Sequence, residues 1–338
     1  MVYHNIVKKK AGIVILLLFL SPVLGELLSG SSPPLLFFNP IVLLMMVLLY
    51  GCGALLVREA KVRWNLQWSV IFLAIAYGIV EEGLMVKSFF NPGHVDMGIL
   101  SAYGSLLGIQ WVWTVQLIIY HAVISILIPI AIIELLWPEY KNVPLLQKKG
   151  LILTFTGISL VTIFGMIFFG AQEGNKMVPY HPHPLLLVGS FLIVVLLVWL
   201  AHKYRNSKIS TINMPVLPSF IFGICGFIIQ AINLIIPGSF AEAQISAVFT
   251  IIAQFFIVAL IFLFVIYQIY NRNITKSHTV SFVFGSILFY ILLTPVHEFV
   301  EEMNQDPTQG MLIVGIVCLV LLVLWRYLVL KRSSDQKK

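Results

Sequence analysis

The sequence predicts an all-α membrane protein: a polytopic bundle of about ten transmembrane helices with both termini in the cytoplasm. Three observations predict it. They are the apolar composition, the regular recurrence of long apolar runs, and the segregation of basic residues between alternate connecting loops.

Of the 338 residues, 59% are apolar and only 10% are charged, and the mean hydropathy is +0.98. A soluble domain of this length needs far more polar surface. A run of about 20 apolar residues suffices for a helix to cross the hydrocarbon core. The chain has many such runs, and no stretch is long and polar enough to form a separate soluble domain. Residues 1–338 therefore read as a single integral membrane domain whose expected partner is the lipid bilayer. The net charge of +7 does not indicate nucleic acid, because the basic residues lie between the apolar runs and form no patch. Cys52, Cys225 and Cys318 fall inside predicted spans with no metal-ligand spacing, and read as small buried apolar residues.

The runs fall at 11–30, 35–57, 67–90, 111–137, 150–170, 184–202, 217–237, 245–270, 279–300 and 310–330. They must be helical, because lipid offers no partner for free backbone groups. Their continuous apolarity lacks the alternation of a β-barrel. Placing the N-terminus inside puts 19 of the 21 lysines and arginines on the cytoplasmic side, as the positive-inside rule requires. Only Lys87 and Lys176 lie outward. The chain thus reads as a multi-pass protein of the cell membrane. Lys8, Lys9 and Lys10 ahead of the first run resemble the start of a signal peptide. The apolar stretch continues to Leu28 with one interruption at Glu26, which favours an uncleaved helix. Asn273-Ile274-Thr275 matches a glycosylation sequon, but on the cytoplasmic side beside a span, where it reads as chance.

An ionisable residue inside a span is expensive and marks a functional candidate. The third span carries Glu81 and Glu82. Glu82 lies about 12 Å in from the outer end near Phe90. The fourth span runs the other way and places His121 about 15 Å deep. The groups share a depth and a short connection, so they should meet. Trp113, Leu117, His121 and Ser125 recur every four residues on one face. Pro129 continues that stripe and removes the hydrogen bond that the Ser125 carbonyl would accept. The ninth span ends in His297, Glu298, Glu301 and Glu302, with His297 and Glu301 on one face beside Thr294. Gln230, Asn233, Gln254 and Glu26 also lie in outer halves, a concentration that suggests a cavity open to the outside. Glu134 lies near the cytoplasmic end of its span and can reach water. His181 and His183 belong to a proline-rich loop and read as solvated. The connection 91–110 holds His94 and Asp96 and is apolar enough to lie on the membrane or fold back as a lid.

The Glu81-Glu82 pair, His121 on the next span and His297 with Glu301 resemble the motifs of the CAAX protease and bacteriocin-processing family of intramembrane metalloproteases. That family carries EExxxR, FxxxH and HxxxN or HxxxD. Here Lys87 gives EExxxxK, Leu117 replaces the phenylalanine, and Glu301 replaces the asparagine or aspartate. The resemblance implies that Glu81, Glu82 and His121 are catalytic. It further implies that Glu82, His121 and His297 hold a divalent metal such as zinc, whose bound water attacks a peptide carbonyl. The same residues equally suit a proton- or cation-coupled transporter or permease subunit with a midmembrane ion site. No nucleotide-binding loop occurs, so an ATP-driven role would require a partner subunit. Nothing in the sequence identifies a substrate.

Overall fold

The computed structural model describes residues 2–101, 103–173, 176–207, 209, 215–269, 274–300 and 307–335. Among these residues, nine helices are long and apolar enough to cross a membrane. They are α1 (Val7–Leu27), α2 (Pro40–Arg63), α4 (Trp111–Leu136), α5 (Lys148–Phe168), α6 (Pro184–Lys203), α7 (Ser219–Glu242), α8 (Ala247–Gln268), α9 (Lys276–Phe299) and α10 (Met311–Arg332). The all-α polytopic bundle is therefore present, and one of its expected spans is shorter than the rest. The run 67–90 forms α3, ten α-helical residues (Val70–Ile79) followed by six π-helical ones (Val80–Met85). That is short of the roughly 20 residues of a full span. α3 nonetheless runs from one end of the bundle to the other. It starts beside the end of α2, and beyond it the Gln110 N–H, at the start of α4, donates to the Phe89 carbonyl at 2.8 Å. α3 is short because it is wrapped by protein rather than lipid: Ala74, Tyr77, Glu81 and Met85 are all buried.

α4 is the centre of the bundle. One of its faces (Tyr120, Val123, Ile124, Ile128, Ile132) joins an apolar cluster with α7, α9 and α10. The other (Ala122, Ile126, Ile130, Ile133) joins a cluster with α1, α2 and α3. α7 and α9 approach most closely where both carry glycine. A Cβ on Gly285 would stand 1.9 Å from the Gly223 carbonyl oxygen, and one on Gly226 would stand 2.3 Å from the Phe282 carbonyl oxygen. Small residues let membrane helices touch backbone to backbone.

One end of the bundle is basic and tightly tied. Arg58 is fully buried, pairs with Glu59 at 2.9 Å and donates to the carbonyls of Tyr140 (2.5 Å) and Val143 (2.9 Å). Glu59 also accepts from Arg63 at 3.1 Å and from the Leu145 N–H at 2.7 Å, so the α4–α5 connection is pinned to α2. Glu134 pairs with Lys61 at 2.6 Å. At the opposite, far end, residues 91–101 and 103–110 fold back over the bundle. Met97 and Leu100 are buried against Phe89, Phe90 and Trp113, and a short hairpin pairs Ser105–Leu106 with Ile109–Gln110. A second hairpin, Gly170–Glu173 with Lys176–Pro179, joins α5 to α6.

Candidate functional site

Four helices lose α-helical register within the bundle. The π-helical segments among the described residues are Val23–Leu27, Val47–Gly51, Val80–Met85 and His121–Leu127. Such segments widen the helix by one residue per turn and concentrate at functional sites. Here they carry Glu26, Tyr50, the Glu81-Glu82 pair, and His121 with Ser125. The four interruptions meet at one polar centre.

At that centre His121 stands between two carboxylates. Its Nε2 lies 3.1 Å from Glu82 Oε1, and its Nδ1 lies 3.0 Å from Glu81 Oε2. The aligned hydrogen bond of Nδ1 is with Ser125 Oγ at 3.1 Å. The Glu81 oxygen is thus a close charge contact that no hydrogen bond among the described residues satisfies. Glu82 also accepts from the Ser88 hydroxyl, which in turn accepts from Trp113 Nε1 at 3.1 Å. Glu81, Glu82 and His121 are all buried. A third carboxylate lies next door. Glu26 accepts from the Tyr50 hydroxyl and, at 2.7 Å, from Ser32, and the Tyr50 ring centroid is 6.0 Å from that of His121. Gly25 makes this crowding feasible, because a Cβ there would fall 2.7 Å from both Ser125 Oγ and the Tyr50 ring.

The shared depth of the glutamate pair and His121 thus becomes direct contact, and the stripe from His121 to Ser125 is intact. The carbonyl freed by Pro129 is not left open: Ser21 Oγ donates to the Ser125 oxygen at 2.6 Å. The sequence suggested a cavity open to the outside; in the structure Glu81, Glu82 and His121 are buried, and residues 91–101 and 103–110 lie over that end of the bundle. Lys87, aligned with the basic residue of the protease motif, turns away from the glutamates. Its Nζ donates to the Met166 and Phe169 carbonyls at 2.9 and 2.6 Å. His297 lies about 10 Å along α9 from Tyr290 and packs its ring against Gly30, while Glu301 and Glu302 lie outside the described residues. Gln230 accepts from the Tyr290 hydroxyl at 3.3 Å, while Asn233 and Gln254 form a separate ladder. Gln254 donates to Asn233 Oδ1 at 2.8 Å, and Asn233 donates to the Gln116 carbonyl at 3.0 Å. His183 caps α6, accepting from the Leu185 N–H at 3.3 Å.

Sequence reasoning missed Tyr50 and Ser88. Tyr50 is a single polar residue in an apolar run, aimed at the centre by a π-segment that leaves no periodic trace, and Ser88 reaches the centre from the turn beyond the π-segment that ends at Met85. Glu26 was visible as a polar interruption but not as part of this group.

With both carboxylates ionised, a protonated His121 balances only one of them. Uncompensated charge inside a bundle is strongly unfavourable, so the centre requires one more positive charge, a proton or a cation. Among the described residues, Glu81, Glu82 and His121 can each offer a ligand atom with all such atoms within 4.8 Å of one another. Carboxylate and imidazole donors suit divalent metals.

Fold and site together define a polytopic α-helical membrane protein with a buried glutamate–histidine centre. The chain belongs to an uncharacterized membrane protein family, whose model matches residues 15–330. No curated protein and no solved structure matches it. The family assignment corrects the resemblance to the CAAX protease and bacteriocin-processing family. Glutamate pairs and a buried histidine arise wherever a bundle encloses ionisable groups, and the three motifs departed from that family's pattern at Lys87, Leu117 and Glu301.

Proposed function

We propose that this chain is a proton- or cation-coupled transporter or permease subunit of the cell membrane, with Glu81, His121 and Glu82 as its ion-binding switch. The observation that carries the reading is the imidazole held between two buried carboxylates where four helices leave α-helical register. Such a group can exchange a proton or a cation while its net charge changes, and interrupted helices allow the surrounding segments to shift around it. Glu26 and Tyr50 provide a neighbouring polar station. A second reading, a metal-dependent hydrolase, draws on the convergence of three ligand atoms. In that case the same trio would hold the ion, and the metal would supply an activated water.

The test uses purified protein, wild type and Glu82→Gln. Infrared difference spectra recorded between about pH 5 and 9 follow carboxyl protonation, and bound metal is measured on the same samples. A carboxyl band that titrates in the wild type and disappears in Glu82→Gln supports proton coupling. Stoichiometric divalent metal that is lost in Glu82→Gln supports the hydrolase instead. Identical spectra and identical metal content in the two proteins would overturn both.

A further inference from the structure

A groove of about 340 Å³ opens on the lipid side of α7, α9 and α10. That volume lies at the lower end of the range of about 300–1,000 Å³ usual for small-molecule sites. The groove forms where Gly223 and Gly285 draw the α7 and α9 backbones together and supply no side chain to fill the seam. Phe220 and Ile224, both exposed, border it on the membrane side.

Arg326 reaches into this groove from α10. Its guanidinium stands 5.3 Å from the ring centroid of Phe284 in the groove wall. Arg326 is the only charged residue between Met311 and Leu330. It is exposed, and so are its neighbours Val323, Leu324, Tyr327 and Leu328, which give that stretch of α10 an apolar, lipid-facing surface. Among the described residues no carboxylate pairs with it. A charge on a lipid-facing surface is unfavourable unless it is neutralised or reaches the interface, so Arg326 calls for an anion that the described residues do not supply.

The level of Arg326 in the bundle says where such an anion comes from. The preceding residue, Trp325, donates to the Ile132 carbonyl at 3.4 Å, one turn of α4 from the Leu136 carbonyl that Arg332 occupies. Arg326 thus lies toward the basic end, about 9 Å along α10 from Arg332, and its long side chain can reach the headgroup layer. Ser219, the first residue of α7, and Ser281, about 8 Å along α9 from Lys276, line the same groove. Neither side chain hydrogen-bonds to a described residue, and neither hydroxyl oxygen is sealed from the groove.

We propose that this groove seats the headgroup of an anionic phospholipid, with Arg326 paired to its phosphate and Ser219 and Ser281 donating to the neighbouring glycerol and headgroup oxygens. A guanidinium fork matches a phosphate with two parallel hydrogen bonds. Basic pockets between helices at the cytoplasmic face suit anionic headgroups. A zwitterionic headgroup would carry its own cation toward Arg326, so the groove favours a lipid with net negative charge. This site is separate from the ion centre and does not rest on the transport reading.

The experiment titrates delipidated protein in detergent with 1-palmitoyl-2-oleoyl-phosphatidylglycerol and, separately, with its phosphatidylcholine counterpart, and counts retained lipid by native mass spectrometry. Wild type is expected to retain one phosphatidylglycerol at least about tenfold more tightly than phosphatidylcholine. Arg326→Gln should lose that preference and bind phosphatidylglycerol about tenfold more weakly. The pair Ser219→Ala/Ser281→Ala should weaken binding about two- to fivefold. Lys149→Gln removes an exposed charge from α5, outside the groove, and should bind as wild type does. Equal retention of the two lipids by wild type would overturn the proposal. So would a preference that survives Arg326→Gln, or an equal loss in Lys149→Gln, which would mark diffuse surface charge. A serine variant that binds as wild type does would overturn the seat in the groove.

Discussion

Ser21 Oγ donates to the Ser125 carbonyl at 2.6 Å, which joins α1 to α4 at the one carbonyl that Pro129 deprives of its helical partner. The same hydroxyl lies 3.1 Å from the Tyr50 carbonyl, so a single serine ties together three of the four helices that build the polar centre. Ser21 is fully buried.

Replacing Ser21 by alanine leaves the Ser125 carbonyl buried and unsatisfied. The expected result is a loss of about 1–3 kcal/mol, seen as a lower melting temperature in detergent. Ser21→Cys, with a weak donor, should fall between the two. A Ser21→Ala protein as stable as wild type would show that the carbonyl finds another partner.

At the centre itself, Glu82→Gln keeps the shape and the contact with Ser88 but removes a charge. The protein is expected to insert and fold, and to lose cation affinity by at least about tenfold, as for a lost ligand or its supporting contact. His121→Ala removes the group that both glutamates face and leaves two carboxylates without a counter-charge. It is expected to destabilise the fold by about 3–5 kcal/mol. Calorimetric cation titration and thermal denaturation on the two variants measure the two effects separately.

The α7–α9 contact gives a test of packing alone. Gly285→Ala places a methyl group against the Gly223 backbone, which cannot move as a side chain can. Separating the helices is expected to cost about 1–3 kcal/mol. At Gly189 in α6, by contrast, a Cβ would meet nothing within 4 Å, so Gly189→Ala should be neutral or stabilising by up to about 1 kcal/mol. Equal effects from the two substitutions would contradict this account of the interface.

The bundle was legible because each lipid-facing helix needs about 20 apolar residues, and nine runs meet that length. α3 was legible as an apolar run, but its shortness was not, since apolarity does not distinguish a helix coated by lipid from one coated by protein. The meeting of Glu82 and His121 followed from depth and connection length. The arrival of Tyr50 and Ser88 did not, because Tyr50 is aimed by π-helical register, which depends on tertiary contacts such as that between Ser21 and Ser125, and Ser88 by the turn beyond α3. The freed carbonyl was read from Pro129, yet the residue that fills it lies more than a hundred positions away in the chain, beyond any local pattern.

The short α3 makes the number of crossings testable. If α3 crosses, the chain passes the membrane ten times and both termini share a side; if it does not, nine passes put them on opposite sides. Lys10 donates to the Pro144 carbonyl at 2.9 Å, and Arg332 donates to the Leu136 carbonyl at 2.6 Å. Both terminal helices therefore reach the basic end of the bundle, next to Arg58 and Lys61. Basic residues at helix ends are retained on the cytoplasmic side, so that end is expected to face the cytoplasm. Reporter fusions ahead of Val2 and after residue 338 should both read cytoplasmic, and one inserted at Gly93 should read the opposite side. Termini on opposite sides would reduce α3 to a re-entrant segment and would put Glu81 and Glu82 on a helix that enters and leaves by one face.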